Sequence, residues 1–396
     1  MIRSASLGRQ LRCAVVSAAA SLAVAGCSWF GGEEKEERQP AELVEFEPTL
    51  QLRELWSASV GDGNETLRLA LTPASDGNAL FAADNDGRVA AFDGRSGKRL
   101  WREDTELPLA GGPSVGSGVV VVGSSDGWVV ALDAASGRQR WRTDVASEVL
   151  APPAVGTGKA FVRTVDGKLI ALALEDGKQS WFAQQTMPRL SVRGTGAPVV
   201  DGDLIICGFD NGRVAAYSAA DGIVAWDVLV APPSGRSEVQ RLSDLNSSLQ
   251  VVGNEVYAVA FQGRLAALAR ESGQAIWSVE FSSYAGLAAD IGNVYAAGDS
   301  GVIVAVERQN GTELWRVDSL AWRDLTAPTA FGSSVVAGDF EGYLHFFQSA
   351  TGTPQARVRA GSARITSAPL VVGETLYVLT DAGKLVAYRE VPRKPG

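Results

Sequence analysis

The stretch "NDGRVAAFDGRSGKRLW" at residues 85–101 decides the fold, because the chain repeats it about every forty residues. Five clear copies follow: "SDGWVVALDAASGRQRW" (125–141), "VDGKLIALALEDGKQSW" (165–181), "DNGRVAAYSAADGIVAW" (210–226), "FQGRLAALARESGQAIW" (261–277) and "DSGVIVAVERQNGTELW" (299–315). Two weaker copies end the series: "FEGYLHFFQSATGTPQA" (340–356), with alanine in place of tryptophan, and the shortened "DAGKLVAYRE" (381–390). A fixed period of this length indicates a repeat architecture with eight units.

Each copy predicts four antiparallel strands. The Asp-Gly or Asn-Gly pair between two apolar runs predicts a two-residue hairpin turn with positive φ at both central residues. A second Gly-containing turn follows, then a short strand with tryptophan, while runs such as "APPAVG" (151–156) supply one more strand upstream. We therefore predict an all-β fold, an eight-bladed β-propeller of four-stranded antiparallel blades. Face-to-face packing of blades explains continuous Val- and Ala-rich runs such as "VVVVGS" (119–124).

The two ends of the chain favour a closed ring over an open solenoid. The eighth copy stops before its tryptophan strand, and "LRELWSASVG" (52–61) supplies a tryptophan strand that precedes the first copy. Pairing of the N- and C-terminal segments would complete the eighth blade with Trp56 and remove two exposed edges.

Repetition also explains most of the tryptophans, seven of the ten in the sequence. Tryptophan recurs at the same position in seven of the eight units, at residues 56, 101, 141, 181, 226, 277 and 315. A stacking platform for ligands is one interpretation, but a residue that recurs at one position of the repeat is better explained by docking of each blade on the next. The single histidine, His345, lies in a strand-like run and is interpreted as a hydrogen-bonded strand residue. Cys207, in "LIICGF" (204–209), is interpreted as an inert buried thiol.

Charge and motif content exclude several classes of function. The formal net charge is −9, which argues against binding nucleic acid through its phosphates. The chain has no Cys-x-x-Cys, no haem attachment motif and no zinc-ligand spacing, so the sequence predicts neither a metal site nor a cofactor.

The N-terminus has the pattern of a secretory leader. Residues 1–12 carry three arginines and no acid, and the apolar stretch "CAVVSAAASLAVAG" (13–26) is too short to cross a bilayer. "LAVAGC" (22–27) resembles the bacterial lipoprotein box, which implies lipidation at Cys27; a plain signal peptide is the alternative. Ser28, which is not aspartate, implies delivery to the outer membrane. We predict a signal peptide over 1–26, a lipidated acidic tether over 27–50 and the propeller over 51–396.

Two segments between blades stand out from the repeat. They are "MPRLSVRGTGAPVV" (187–200) and "SGRSEVQRLSDLNSSLQVV" (234–252), and the second accounts for the longest spacing between copies. Both leave consecutive blades on the face that carries the Asp-Gly hairpins, so we expect them to be neighbours on one rim. Each joins arginine to leucine, a composition typical of a protein-binding surface, although ordinary variable loops remain the alternative.

The repeat is similar to that of pyrroloquinoline-quinone (PQQ) enzymes, and two functions follow from the resemblance. A periplasmic PQQ-dependent dehydrogenase would need calcium ligands, a catalytic aspartate and often a vicinal cysteine pair or a haem segment. This chain has no Cys-Cys pair, no haem motif and none of the long insertions that build the enzyme pocket. With its lipoprotein box, acidic tether and eight repeats, it more closely resembles the BamB family of the outer-membrane β-barrel assembly machinery, which implies a non-catalytic scaffold.

The resemblance to the BamB family also implies a partner and binding residues. In that family the two segments contact the periplasmic POTRA region of the barrel-forming subunit BamA. The family's first motif falls on Leu190, Val192 and Arg193, with valine replacing a leucine, and the second falls on Asp244 and Asn246, with asparagine replacing an acid. Further implied partners are other lipoproteins of the complex and unfolded outer-membrane protein precursors. The resemblance implies a periplasm-facing protein held at the outer membrane by its lipid alone.

Overall fold

The computed structural model describes residues 38–63, 69, 71–188, 190–191, 194–232, 237, 242, 244–245 and 247–391. These residues form strands and turns and no helix, so the predicted all-β class is confirmed. Within the described part of the chain, accordingly, no helix is long and apolar enough to span a membrane. One compact unit begins at Pro40 and holds all the described strands.

Thirty-two strands follow one another along the described chain. They are β1 (Leu52–Ser59), β2 (Ala74–Ser75), β3 (Ala79–Ala83), β4 (Arg88–Asp93), β5 (Arg99–Asp104), β6 (Leu109–Gly116), β7 (Val119–Ser124), β8 (Trp128–Asp133), β9 (Gln139–Asp144), β10 (Ala154–Gly156), β11 (Lys159–Arg163), β12 (Lys168–Ala173), β13 (Gln179–Gln184), β14 (Val199–Asp201), β15 (Leu204–Gly208), β16 (Arg213–Ser218), β17 (Val224–Leu229), β18 (Gln250–Val252), β19 (Glu255–Val259), β20 (Arg264–Ala269), β21 (Ala275–Glu280), β22 (Gly286–Ala289), β23 (Asn293–Ala297), β24 (Ile303–Glu307), β25 (Glu313–Val317), β26 (Thr329–Phe331), β27 (Ser334–Gly338), β28 (Tyr343–Gln348), β29 (Pro354–Arg359), β30 (Leu370–Val372), β31 (Thr375–Leu379) and β32 (Lys384–Glu390).

The strands form eight four-stranded antiparallel sheets, the blades. Blades 1 to 7 each use four consecutive strands, from β2–β5 for blade 1 to β26–β29 for blade 7. Blade 8 contains β30, β31 and β32 together with β1, which pairs from Leu52 opposite Glu390 to Ser59 opposite Lys384. The predicted closure of the ring by the two chain ends, with Trp56 in the eighth blade, is confirmed.

Eight buried clusters lie between the blades, and each joins two neighbours. The cluster between blades 4 and 5, for example, unites Ile206 and Val214 with Val256 and Ala266. The cluster between blades 8 and 1, which closes the ring, unites Leu385 with Phe92 and their neighbours. Residues from both faces of the second and third strands enter such clusters, so these strands are buried on both sides. This is why their sequences do not alternate between apolar and polar residues.

The Asp-Gly hairpins differ from the predicted two-residue turn. In blade 1 the Asp84 amide donates to the Arg88 carbonyl oxygen at 2.9 Å, so the loop encloses three residues. Only Gly87 of the Asp-Gly pair takes a positive φ, +100°. The prediction of positive φ at both residues is wrong, because a three-residue loop needs the left-handed conformation only at its last residue. We call the face that carries these turns the hairpin face; the connections to the following blades lie there too, as the bond from the Thr105 amide to the Gly87 carbonyl oxygen at 2.8 Å shows.

The repeated tryptophans dock each blade on the next, as predicted. Each indole Nε1–H donates to a carbonyl oxygen in the next blade's turn between its third and fourth strands, at 2.7–3.2 Å. Each ring also covers a glycine of that turn. The pairs are Trp56–Gly97, Trp101–Gly137, Trp141–Gly177, Trp181–Gly222, Trp226–Gly273, Trp277–Gly311 and Trp315–Gly352.

Blade 7 carries Ala356 at the tryptophan position, and the ring closure explains why. Blade 8 takes its third strand from one end of the chain and its fourth from the other. It therefore has no turn there to offer a carbonyl or a glycine to an indole. Leu50, 6% exposed, occupies the same buried cluster as Ala356 and fills this gap.

Leu50 ends a segment, residues 41–50, that we call the N-terminal strap. The strap runs along the outer strand β29, where Arg357 Nη1 donates to the Val44 carbonyl oxygen at 3.1 Å and the Thr49 amide donates to the Gln355 carbonyl oxygen at 2.8 Å. The strap therefore belongs to the compact unit, which begins ahead of the predicted start at residue 51.

The lone histidine, His345, and the thiol of Cys207 are both internal, as predicted. His345 lies in β28, and its Nε2 is 2.9 Å from Asp339 Oδ2. Burial lowers the pKa of His345 below its ordinary value, against the opposing effect of Asp339. Cys207 is fully buried, and burial raises the pKa of its thiol to about 12. Neither group is placed as an exposed nucleophile or base.

Candidate functional site

The candidate site consists of two connections on the hairpin face, one between blades 3 and 4 and one between blades 4 and 5. The first joins β13 to β14 and the second joins β17 to β18. The amide of Ala197 in the first donates to Ser248 Oγ in the second at 3.1 Å. The two segments are therefore direct neighbours, as the repeat arithmetic predicts.

Three polar contacts fasten the first connection to blades 3 and 4. Asn211 Nδ2 donates to the Thr186 carbonyl oxygen at 3.0 Å, and Ser191 Oγ donates to Asp210 Oδ2 at 3.0 Å. Further along, the Gly194 carbonyl oxygen accepts a bond from Arg163 Nη1 at 3.0 Å. Three polar contacts thus fix the path of a segment that has no regular secondary structure of its own.

The second connection is fastened mainly by apolar residues. Leu245 and Leu249 are buried in the cluster between blades 4 and 5. The amide of Phe261 donates to the Asp244 carbonyl oxygen at 2.9 Å, which joins the segment to the hairpin of blade 5. Leu245 and Leu249 are buried on either side of Ser247 and Ser248, and they hold these two half-buried serines in place.

The predicted binding residues lie in different environments. Leu190 is 43% exposed, as an apolar anchor for a partner has to be. Asp244 is fully buried, so its carboxylate does not face solvent. Val192, Arg193 and Asn246 lie outside the described residues, as does the predicted lipidation site at Cys27.

A central cavity of about 560 Å³ adjoins the two connections. Thr195 of the first connection and Ser248 of the second line it. Three further residues line it: Tyr284 donates from its hydroxyl to Asp324 Oδ1 at 2.7 Å, and Arg364 Nε lies 3.8 Å from Asp324 Oδ2. These bonds connect successive inter-blade segments around the ring, so the walls of the cavity are linked to one another.

Sequence reasoning missed the residues beneath the first connection. Arg163 and Asp210 form an ion pair with side chains only 2% and 1% exposed. The guanidinium also stacks on Phe209, 5.8 Å from the ring centre. The available signal was Arg163 itself, a charged residue at the end of the apolar run "KAFVR" (159–163).

Comparison with known proteins yields a consistent set of relatives. The family model described as outer membrane protein assembly factor BamB matches residues 43–105, 85–316 and 299–391. An outer membrane protein assembly factor BamB from Pseudomonas aeruginosa is 49% identical over 370 residues, which cover 93% of this chain and 97% of that protein.

Solved structures agree on the fold. The crystal structure of BamB from Moraxella catarrhalis superposes with a TM-score of 0.79 at 26% identity, covering 86% of this chain and all of that one. Quinohemoprotein alcohol dehydrogenase from Comamonas testosteroni superposes with a TM-score of 0.67 at 15% identity, covering 87% of this chain and 78% of that one. The second likeness extends to the fold alone.

Proposed function

Since the chain belongs to the family of the outer membrane protein assembly factor BamB, we propose that it is a non-catalytic scaffold of the outer-membrane β-barrel assembly complex. In this role it binds the POTRA region of the barrel-forming subunit BamA through the two connections of the candidate site. The bond between Ala197 and Ser248 is the observation that carries the proposal, because it joins the two segments in one continuous surface.

The mechanism is binding and positioning without chemistry. The buried clusters between all neighbouring blades make the ring a stiff support, on which a binding segment is held at low entropic cost. Leu190 supplies the apolar anchor and Arg193 supplies the orienting charge, while Val192 lies between them in sequence and Asn246 belongs to the second connection. Asp244 acts from inside, by keeping the second connection in place.

The location follows from the N-terminus and the family. Lipid on Cys27 would hold the protein at the inner surface of the outer membrane, and the strap would bring the chain into the ring along blade 7. Held there, the ring would keep the POTRA region beside other lipoproteins of the complex and within reach of unfolded outer-membrane protein precursors.

Charge reversal at Arg193 tests the interface. Arg193→Glu should reduce the amount of barrel-forming subunit that co-purifies from detergent-solubilised membranes by about tenfold or more, because hot-spot arginines contribute at this level. Arg102→Glu is the matched control, since Arg102 is exposed on β5 of blade 1, far from both connections in the ring. Unchanged co-purification of the Arg193→Glu protein, with its melting temperature preserved, would show that the interface lies elsewhere.

A further inference from the structure

Arg163 is an exception within the repeat. It ends β11 and lies opposite Leu169 of β12. Seven other residues hold the same register position in their blades: Ala83, Gly123, Gly208, Val259, Ala297, Gly338 and Leu379. All seven are apolar. The fold therefore does not require a charge at this position, and blade 3 alone has one, almost fully buried.

The polar contacts of Arg163 lead toward the candidate site. The guanidinium forms its ion pair with Asp210 of blade 4 and donates from Nη1 to the Gly194 carbonyl oxygen at 3.0 Å. Asp210 in turn accepts from Ser191 Oγ at 3.0 Å. The pair thus holds the first connection at two points, Ser191 and Gly194, and these two residues bracket Val192 and Arg193 in the sequence.

The aspartate of this arrangement has a counterpart in blade 8, whereas the arginine does not. In blade 8, Asp381 stands at the position of Asp210 in its hairpin and accepts from Thr366 Oγ1 at 2.7 Å, which fastens the connection between blades 7 and 8. Blades 4 and 8 thus share an aspartate that holds the preceding connection. The arginine that adds a second attachment point is particular to blade 3.

Stability alone does not explain a buried ion pair. Desolvation of two charges offsets most of their attraction, and apolar residues of similar volume usually stabilise a fold as well or better. The seven apolar equivalents show that this applies to the position of Arg163. The ion pair instead fixes the positions of the groups around it, because a planar guanidinium holds several hydrogen-bond acceptors in one plane.

We propose that Arg163 and Asp210 are positioning residues, which hold the first connection in the shape that the partner of the proposed function recognises. The proposal rests on the proposed function for its partner. The two residues make no contact with the partner themselves, because both side chains are buried beneath the connection. Their effect on binding passes through Ser191 and Gly194.

The double variant Arg163→Leu with Asp210→Asn tests the proposal without leaving an unpaired buried charge. Leucine is the residue that blade 8 uses at the same position, Leu379. We expect a melting temperature within a few degrees of that of the parent protein, because the other seven blades carry an apolar residue at this position and have no such ion pair. Amide hydrogen exchange at residues 190–195 should accelerate, and the dissociation constant for the purified POTRA region should rise, each by about tenfold.

Two single variants complete the experiment. Ser191→Ala removes one attachment and keeps the ion pair, so it should weaken binding by a few-fold even if the double variant folds poorly. Asp381→Asn is the matched control: it loosens the connection at Thr366, between blades 7 and 8, and should leave the dissociation constant unchanged.

The outcomes separate this proposal from the proposed function. Unchanged exchange at residues 190–195 in the double variant would overturn the positioning role, whatever the partner does. If Arg193→Glu abolishes binding while the double variant binds normally, the interface stands and the positioning role is wrong. If exchange accelerates and neither the double variant nor Arg193→Glu alters binding, the first connection is not the interface, and the proposed function and the functional part of this proposal both fail.

Discussion

The contact between Trp277 and Gly311 allows a sharp test of how the blades are held together. Gly311 has a φ of +75°, and a Cβ added there would lie 2.7 Å from Cε3 of the indole ring. The ring itself is buried and is fixed by its bond to the Arg308 carbonyl oxygen at 2.7 Å. Gly311→Ala should therefore cost backbone strain and a steric clash together.

Gly158 separates these two contributions. It has the same φ, +75°, but a Cβ added there would meet nothing within 4 Å. Left-handed backbone at alanine costs about 1–2 kcal/mol in both variants. Overpacking against a fixed ring adds about 1–3 kcal/mol for Gly311→Ala alone. The free energy of unfolding should therefore differ between the two variants by that second amount.

Calorimetry or thermal circular dichroism of the two purified variants measures this difference. With an unfolding entropy of about 2 cal/mol/K per residue, 1 kcal/mol corresponds to about 1–2 °C for a chain of this length. Gly311→Ala should melt about 1–5 °C below Gly158→Ala. Equal melting temperatures would refute the reasoning, because they would mean that the indole yields to the added methyl group without cost.

Four further results are expected. Leu50→Ala should destabilise the ring by about 2–4 kcal/mol in urea titration, because it empties the site that the missing tryptophan leaves in blade 7. Cys207 should resist alkylation in the native protein and react after unfolding, since its thiol is buried with a pKa of about 12; rapid native labelling would contradict this. The pKa of His345 is lower in the folded than in the unfolded chain, so its contribution to stability is present above about pH 6.5 and should be lost as the pH falls below that value. His345→Gln should therefore make the melting temperature depend less on pH in this range. Cys27→Ala should move the protein from the membrane fraction to the soluble periplasmic fraction, and continued sedimentation with membranes would contradict a lipid anchor.

The fold was predictable because the same turn and strand pattern recurs in the sequence about every forty residues. Glycine spacing set the number of blades, and the unpaired strand around Trp56 revealed the ring closure before any contact was known. The exception was the hairpin geometry: an Asp-Gly pair is compatible with two loop lengths, and only the pairing of Asp84 with Arg88 distinguishes them. Local sequence rules lack that information.

The candidate site was less predictable, because its supports are contacts between blades. The position of the two connections followed from topology, but the burial of Asp244 depends on how Leu245 packs against blade 4. Arg163 and Asp210 lie far apart in sequence and meet only across two blades. A single sequence shows each as an isolated charge, with no indication of the other.

Closure of blade 8 by both chain ends has a consequence for folding. Strand β1 finds its partner only when β32 is available, at the far end of the chain. As the polypeptide emerges N-terminus first, β1 must wait with both edges unpaired until the last repeat has been delivered. A truncation that removes β32 should thus leave β1 without a partner and expose blade 1, and such a chain should be cleaved by proteases more readily than the full chain. Closure of the ring therefore depends on the last of the described strands.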